Sequence, residues 1–365
     1  MKQRVALLIT ALIVAAALAY GLTACAKQQT VVAYVSEDQV FSEPILKDFE
    51  KETGIKVKAV YDTEESKSTG PMNRLLAEKD NPQADVYWAN EPIRAEILRQ
   101  KGISAPYVSP NAKGIPDNFK NPEGYWTGFS ARARILLVKK SLADKPRSIL
   151  AYTEPQWKGR TVIANPLFGT TTSEIAALFT LWGDDKTEAF LDAIKRNQTR
   201  ISTSNGESAD LVASGEFDFA LVDSDDGASR MKQGKPVEVV FPDQDKADVG
   251  SFIVPNTVVF IKGAPHPDNA KKLIDYLLSK ATERKLAFAE CAQIPLHPGV
   301  ETPPIVKRIE AIKTMKVDYA EVAKKMQAIQ PVLKWVGIDG QTYCPILSVC
   351  GVGRCRPASR PCDGG

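Results

Sequence analysis

Histidine is almost absent from this chain: 365 residues contain two, His266 and His297, and each stands directly before a proline. A Ser-His or Cys-His nucleophile pair is therefore poorly supplied. No G-x-S-x-G elbow, no H-E-x-x-H helix motif and no Gly-rich Walker loop occurs either. These absences argue against an enzyme and leave a secreted hydrolase as a remote alternative. An excess of one charge is also missing. Lys and Arg number 47 against 44 Asp and Glu, a net charge of +3. With no long basic stripe, a nucleic-acid partner is not expected. Long apolar runs are confined to the first residues, so the rest of the chain is expected to be soluble.

Those first residues have a clear pattern. Met1-Lys2-Gln3-Arg4 is a basic head, and Val5 to Tyr20 is an uncharged apolar run. Small residues then precede Cys25 in the string Leu22-Thr23-Ala24-Cys25. A short charged head, a short apolar stretch and small residues at the cut read as a secretory signal over 1–24. The apolar run falls short of the roughly 20 residues needed to span a bilayer. The tetrapeptide resembles a lipobox, which implies acylation of Cys25 and a lipid-anchored protein of the cell envelope, periplasmic or on the outer face of the cytoplasmic membrane. Cleavage near Ala24 or Ala26 to give a soluble periplasmic protein is the alternative.

Cysteine is otherwise sparse until the end. Cys291 sits alone in an apolar stretch, while Cys344, Cys350, Cys355 and Cys362 crowd the last 22 residues. Their spacings match no common zinc motif. Two disulfides, with three possible pairings, and a poorly ordered extension over 337–365 both remain open.

About 340 residues follow the signal, more than one core usually encloses, so two domains are expected. The pattern at 30–35 (TVVAYV) predicts a strand, 42–53 a helix stopped by Gly54, 55–61 a strand, 71–79 a helix and 84–88 a strand. This alternation indicates βαβ units and a mainly parallel sheet. A second set follows. Its strands are expected at 126–139, 162–164, 217–222, 237–241, 250–255 and 258–262, and its helices at 174–182, 188–197, 208–214, 267–279, 302–313 and 318–333. Two α/β lobes joined by a long strand imply a cleft with a hinge. In open α/β sheets ligands bind beyond the carboxyl ends of the strands.

Several stretches together resemble the ferric-iron-type branch of the solute-binding proteins of ABC importers. They are AYVSEDQ (33–39), FEKETGIKV (49–57), ADVYWANE (84–91), GYWTGFSARARILLVKK (124–140), WKGRTVIANPLFGTTTS (157–173), FALVDSDD (219–226), VPNTVVFIKGAPHPDNAKKLIDYLLS (254–279) and CAQIPL (291–296). The resemblance implies an α/β, two-lobed, type II-like periplasmic-binding-protein fold. One lobe would comprise 26–130 and 255–300, the other 131–254 and 301–336. It further implies a monomer that delivers a small ligand to a permease and an ATPase, with no cofactor. A sensory input domain acting through a partner is a further alternative.

The expected ligand residues follow strands. Ser36 and Glu37 follow the first, Glu64 the second, and Asn90 and Glu91 the third. Gly169-Thr170-Thr171-Thr172-Ser173 is expected as a turn before a helix, where backbone N–H groups and hydroxyls favour an anion. Ser204 and Asn205 are a further anion contact implied by the resemblance. Arg132 is expected to add charge there, with Arg134 at the surface. Ferric binders of this type present two adjacent tyrosines after the strand matching 219–222, and a histidine after the first strand. This chain has Asp223-Ser224-Asp225-Asp226 and Glu37 instead. Carboxylates are hard oxygen donors, so Asp225, Asp226 and Glu37 are the candidate metal ligands. The expected cargo is ferric iron or another metal with a companion anion. The alternative is a phosphonate or phosphorylated, zwitterionic metabolite, its anionic end on the threonines and its ammonium end on the aspartates. Trp88, Tyr125 and Trp126 are expected to pack rather than to stack on ligand.

Overall fold

The computed structural model describes residues 29–62, 69–167 and 169–329. Cys25, Glu64 and the four cysteines of the tail fall outside them. The chain opens with β1 (Thr30–Val35), α1 (Gln39–Thr53), β2 (Lys56–Tyr61), α2 (Thr69–Ala77), β3 (Val86–Ala89) and α3 (Pro92–Gln100). β1 lies parallel between β2 and β3, with Val31 opposite Val57 and Ala33 opposite Val86. α1 buries Ile45, Leu46 and Phe49 and stops where Gly54, at φ 72°, donates its N–H to the Glu50 carbonyl at 2.9 Å. That left-handed backbone is open to glycine at little cost.

After the short strand β4 (Ser104–Ala105) comes β5 (Thr127–Lys139). The second group is β6 (Thr161–Ala164), α4 (Gly169–Trp182), α5 (Asp184–Arg196), β7 (Arg200–Ser202), α6 (Asn205–Ala213), β8 (Phe219–Asp223), α7 (Ser224–Lys232) and β9 (Val237–Val240). β10 (Ile253–Ile261) then returns to the first group, and α8 (Pro267–Leu277), α9 (Lys280–Phe288) and α10 (Tyr319–Ala328) follow. The strand order is β2-β1-β3-β10-β5-β8-β6-β7.

β5 holds the two groups together. Residues 127–133 pair antiparallel with β10, and residues 134–138 pair with β8. A single 13-residue strand thus belongs to both halves, and it is apolar along most of its length because both faces are covered. The carboxyl ends of β1 and β3 in one half, and of β6 and β8 in the other, converge on the stretch where β5 changes partner. The fold is the expected α/β architecture with a curled sheet, but the sheet is mixed rather than mainly parallel. β1 with β2 and β3, and β6 with β7 and β8, pair in parallel, while every pairing of β5 and β10 is antiparallel.

Several local expectations are corrected. The strands expected at 250–255 and 258–262 are one strand, β10, whose register shifts between Pro255 and Asn256. Proline lacks the N–H that a regular ladder needs, and a bulge accommodates it. No helix forms at 302–313. Ser251 donates its N–H to the Lys313 carbonyl at 2.9 Å, and Met315 donates to the Ser251 carbonyl at 3.0 Å. With that backbone engaged, Val306, Ile309, Ile312 and Met315 are buried from an irregular segment holding one 3-10 turn. α3, α7 and α9 carry no clean amphipathic period and have no counterpart in the sequence reading. α3 buries six of its nine residues, and α7 is largely polar. Among the described residues no helix is long and apolar enough to cross a membrane.

Candidate functional site

Arg134, which was expected at the surface, is wholly buried at the junction on β5. The reason is its partners. Nε donates to Glu174 Oε2 at 2.9 Å. Nη1 donates to Asp223 Oδ1 at 2.9 Å and to Thr170 Oγ1 and Asn205 Oδ1 at 3.1 Å each. Nη2 donates to Thr171 Oγ1 at 3.1 Å and to the Leu221 carbonyl at 3.2 Å. A buried guanidinium is tolerable when paired and hydrogen-bonded on every side. Burial alone would raise the Asp223 carboxyl, but Arg134 and Arg132 outweigh it and hold the group below its usual range.

This network revises the threonine segment. Gly169 to Ser173 is the first turn of α4 rather than a turn before it. Thr170 donates its hydroxyl to Asp223 at 2.9 Å and accepts from Asn205 Nδ2 at 2.9 Å. Thr172 donates to the Pro166 carbonyl at 2.8 Å. Ser204 caps α6 by accepting from the Glu207 N–H at 3.1 Å. The Thr170 and Thr171 hydroxyls therefore serve the protein's own charges, and that of Thr172 serves a backbone carbonyl. The anion-seeking and cation-seeking walls expected to face each other are one hydrogen-bonded surface of the second half.

Arg132 occupies the boundary with the first half. Side chains two apart on a strand share a face, so it stands beside Arg134. Nη2 donates to the Asn90 carbonyl at 2.5 Å, and Nη1 lies 3.4 Å from Asp223 Oδ2. Burial works against its charge, yet Asp223, Asp225, Glu37 and Glu91 outweigh that and raise its affinity for the proton. Carboxylates of both halves thus surround one guanidinium.

The first-half wall comes from the ends of β1 and β3. Ser36 Oγ is 2.9 Å from the Tyr87 hydroxyl and 3.3 Å from Asp62 Oδ2. Glu37 is buried and accepts from Gln293 Nε2 at 2.9 Å. Glu91 begins α3. Its Oε1 meets Arg94 at 3.0 Å, its Oε2 accepts from Ser173 Oγ at 2.7 Å, and its carbonyl accepts from Thr257 at 3.1 Å. Ser173 belongs to α4, so the halves touch here directly.

α7 supplies two further carboxyl groups, Asp225 and Asp226. Carboxylate oxygens of Asp223, Asp225 and Asp226 can all lie within 4.8 Å of one another. Burial pushes the Asp225 carboxyl up to about 6, with Arg132 opposing and Asp223 adding to the rise. Burial, then the charges of Asp225 and Asp223, push Asp226 well above the ordinary range. Among the described residues the ion-pair partner of Asp226 is Arg230, at 3.6 Å. Asp223 is committed to the arginines, so Asp225 and Asp226, with Glu37 opposite, are the groups suited to a cation.

Arg134, Glu174, Tyr87 and Gln293 were not among the expected site residues. The Arg-x-Arg spacing on one strand was the available signal for Arg134, since both arginines had to share a face. The histidines make structural contacts: His266 Nδ1 lies 2.9 Å from Asp85, and His297 Nδ1 lies 2.7 Å from Glu283. Trp88 and Trp126 are buried, as expected of packing residues. A cavity of about 380 Å³ lies at the far end of β10, lined by Leu75, Lys79, Ile103 and Ile261 among others. It has no convergent set of like charges, and the cleft is identified by chemistry rather than by hollow volume.

The profile of the bacterial extracellular solute-binding proteins matches residues 45–314. The chain is 28% identical over 322 residues to iron uptake protein A1 of Synechocystis sp., covering 84% of this chain and 86% of that protein. It is 27% identical over 245 residues to a putative 2-aminoethylphosphonate-binding periplasmic protein of Salmonella typhimurium, covering 66% and 69% respectively. A Trichodesmium protein solved in complex with iron and citrate shares the fold with a TM-score of 0.75 at 23% identity, over 84% of this chain and 99% of that one.

Proposed function

The chain belongs to the bacterial extracellular solute-binding proteins, and from that premise we propose that it captures a metal ion with a companion anion between its halves and delivers it to an ABC permease and its ATPase. One observation carries the metal: Glu37 from the first half and Asp225 from α7 both act on Arg132, and Asp226 stands beside Asp225 with carboxylate oxygens of Asp223, Asp225 and Asp226 within 4.8 Å of one another. Carboxylate oxygens are donors for hard cations. Arg132 is the group to meet the companion anion, because a guanidinium pairs with planar and tetrahedral oxyanions in a fork. Relatives named as ferric-iron-binding proteins support this reading.

A specific feature favours a second reading. No tyrosine follows β8, and Asp225 and Asp226 stand there instead. An aminophosphonate would set its ammonium on these aspartates and its phosphonate on Arg132, in keeping with the aminoethylphosphonate-binding relative. Thermal shift and native mass spectrometry with ferric citrate and with 2-aminoethylphosphonate separate the two. Retained iron and a shift with ferric citrate only support the metal. A shift with the phosphonate alone, insensitive to chelator, replaces it.

The remaining elements of the reading are the anchor and the motion. Acylation of Cys25 would hold the monomer at the outer face of the cytoplasmic membrane. The halves, 26–130 with 255–300 and 131–254 with 301–336, would close about β5 and β10. Cys25→Ser should release the protein into the soluble fraction. Retention of that variant in the membrane would remove the anchor from the proposal.

A further inference from the structure

Behind Glu37 runs a buried line of amides that the ligand reading does not use. Gln293 donates from Nε2 to Glu37 Oε1 at 2.9 Å. Its Oε1 accepts from Asn256 Nδ2 at 2.9 Å, and the same Nδ2 donates to the Ser130 carbonyl at 2.7 Å. Asn256 Oδ1 accepts from the Trp88 indole N–H at 3.2 Å. Gln293, Asn256, Ser130 and Trp88 are all fully buried.

The direction of this line is forced. An indole N–H only donates and a carbonyl only accepts. Asn256 must therefore turn its oxygen to Trp88 and its nitrogen to Ser130. Gln293 then has one orientation left, with its nitrogen toward Glu37. The last link holds the cleft carboxylate as an acceptor.

The other end is strained backbone at the crossing strand. Ser130 has φ 37° and is the extra residue of the bulge, since Phe129 faces Asn256 while Ala131 faces Pro255. Its hydroxyl is buried without a hydrogen-bond partner. Ala292, beside Gln293, has φ 45°. Between these two left-handed residues, Ala131 and Ile294 exchange N–H···O bonds of 2.7 Å in both directions. Non-glycine residues in this conformation persist only where their surroundings hold them, and they concentrate at sites that work. Glu283 adds to the clamp by accepting the Ser130 N–H at 2.9 Å.

Resting on the reading of Glu37 as a cargo ligand, we propose that Gln293 is a positioning residue that ties Glu37 to the bulge at Ser130, so that the cleft carboxylate and the hinge backbone change together. Gln293 touches no cargo. It acts by fixing Glu37 and by sensing, through Asn256, the state of β5. A hinge rotation that moves the Ser130 carbonyl would loosen Glu37, and a cation drawing Glu37 inward would favour the bulged strand.

The test needs no ligand at its core. Indole ¹H–¹⁵N spectra of the full chain report Trp88, identified by its loss in Trp88→Phe. Glu37→Gln should displace the Trp88 signal, and in a Gln293→Met background the same change should leave it in place. An equal displacement in both backgrounds means proximity rather than a relay and overturns the proposal. Should Gln293→Met fold poorly, Gln293→Glu keeps the shape and sets an acceptor against Glu37, and the same cycle decides. With ferric citrate as probe, Gln293→Met should weaken binding about tenfold or more, the scale of one lost hydrogen bond to a charge. If the wild-type chain takes up neither ferric citrate nor 2-aminoethylphosphonate, the transport reading falls, while the indole cycle still decides the relay.

Discussion

Acidic groups only a turn apart behave oppositely. Asp223 is met by two guanidiniums and a threonine hydroxyl and is held ionised. Asp225 and Asp226, half-buried at the start of α7, are partly desolvated beside like charge and resist ionisation. A protein interior tolerates charge that is answered and penalises charge that is not. The first arrangement is scaffold. The second fits the proposal that a cargo cation completes it, because perturbed carboxylates in a cleft are a recognised mark of binding sites. On that proposal the contrast separates residues that build the cleft from residues that meet cargo.

The largest blow to this contrast is Arg134→Met. It leaves Asp223 and Glu174 buried without their shared cation, and breaking a buried pair from one side costs about 3–5 kcal/mol. Urea unfolding should show that loss, and Arg134→Lys should recover only part of it because one ammonium cannot reach six acceptors. A loss under 1 kcal/mol in Arg134→Met would mean the network is incidental. Asp226→Asn should act in the reverse sense. The ligand-free chain should gain about 1 kcal/mol, since a disfavoured charge is removed, while cation uptake falls at least a hundredfold by isothermal titration. A variant both less stable and equally able to bind would erase the distinction.

Titration sharpens the same comparison. The folded-state pKa of Asp225 lies near 6, above the usual value of about 3.9 for an unfolded chain. Its contribution to stability is therefore complete below about pH 4 and is lost as pH rises through about 6. Asp223 has the opposite sign: its pKa is lowered, so its contribution is present above about pH 4 and is lost on further acidification. The ligand-free melting midpoint should thus fall between about pH 5 and 7, and Asp225→Asn should flatten that slope. Cation affinity should rise over the same interval as the carboxylate becomes available. A midpoint that climbs steadily from pH 5 to 7 in the ligand-free chain would contradict the assignment.

How much of this was legible in the sequence depends on range. β1, β3, β5 and β8 show as β-branched or apolar runs, because strands buried on both faces carry their own signature, while the edge strand β2 shows by alternation. The Asp223–Asp226 segment was visible by its place after a strand and by the residues it lacks. Arg134 was misplaced at the surface because its burial depends on Glu174, Asn205 and Asp223, which lie 40 to 89 positions away along the chain. α7 was hidden by polarity, since its ordering comes from packing on β9 and β5 rather than from an apolar stripe. The segment at 302–313 misled for the converse reason: its apolar residues recur every three positions, yet its backbone is bonded to Ser251.

The smallest expected effect lies where the two halves meet. Ser173 donates to Glu91 at 2.7 Å across the boundary, with both residues buried. Ser173→Ala removes that bond, while Glu91 keeps Arg94 on its other oxygen. No charge is left alone, so the expected loss is one hydrogen bond to a charged group, about 1.5–3 kcal/mol at most. If the contact holds the halves together, that energy belongs to closure rather than to folding. Ser173→Ala should then expand the chain in solution scattering and weaken cargo binding about tenfold, with urea stability nearly unchanged. Should stability fall while the radius of gyration stays constant, Ser173 belongs with Arg134 in the scaffold, and the boundary between the two kinds of buried charge moves one residue toward the cleft.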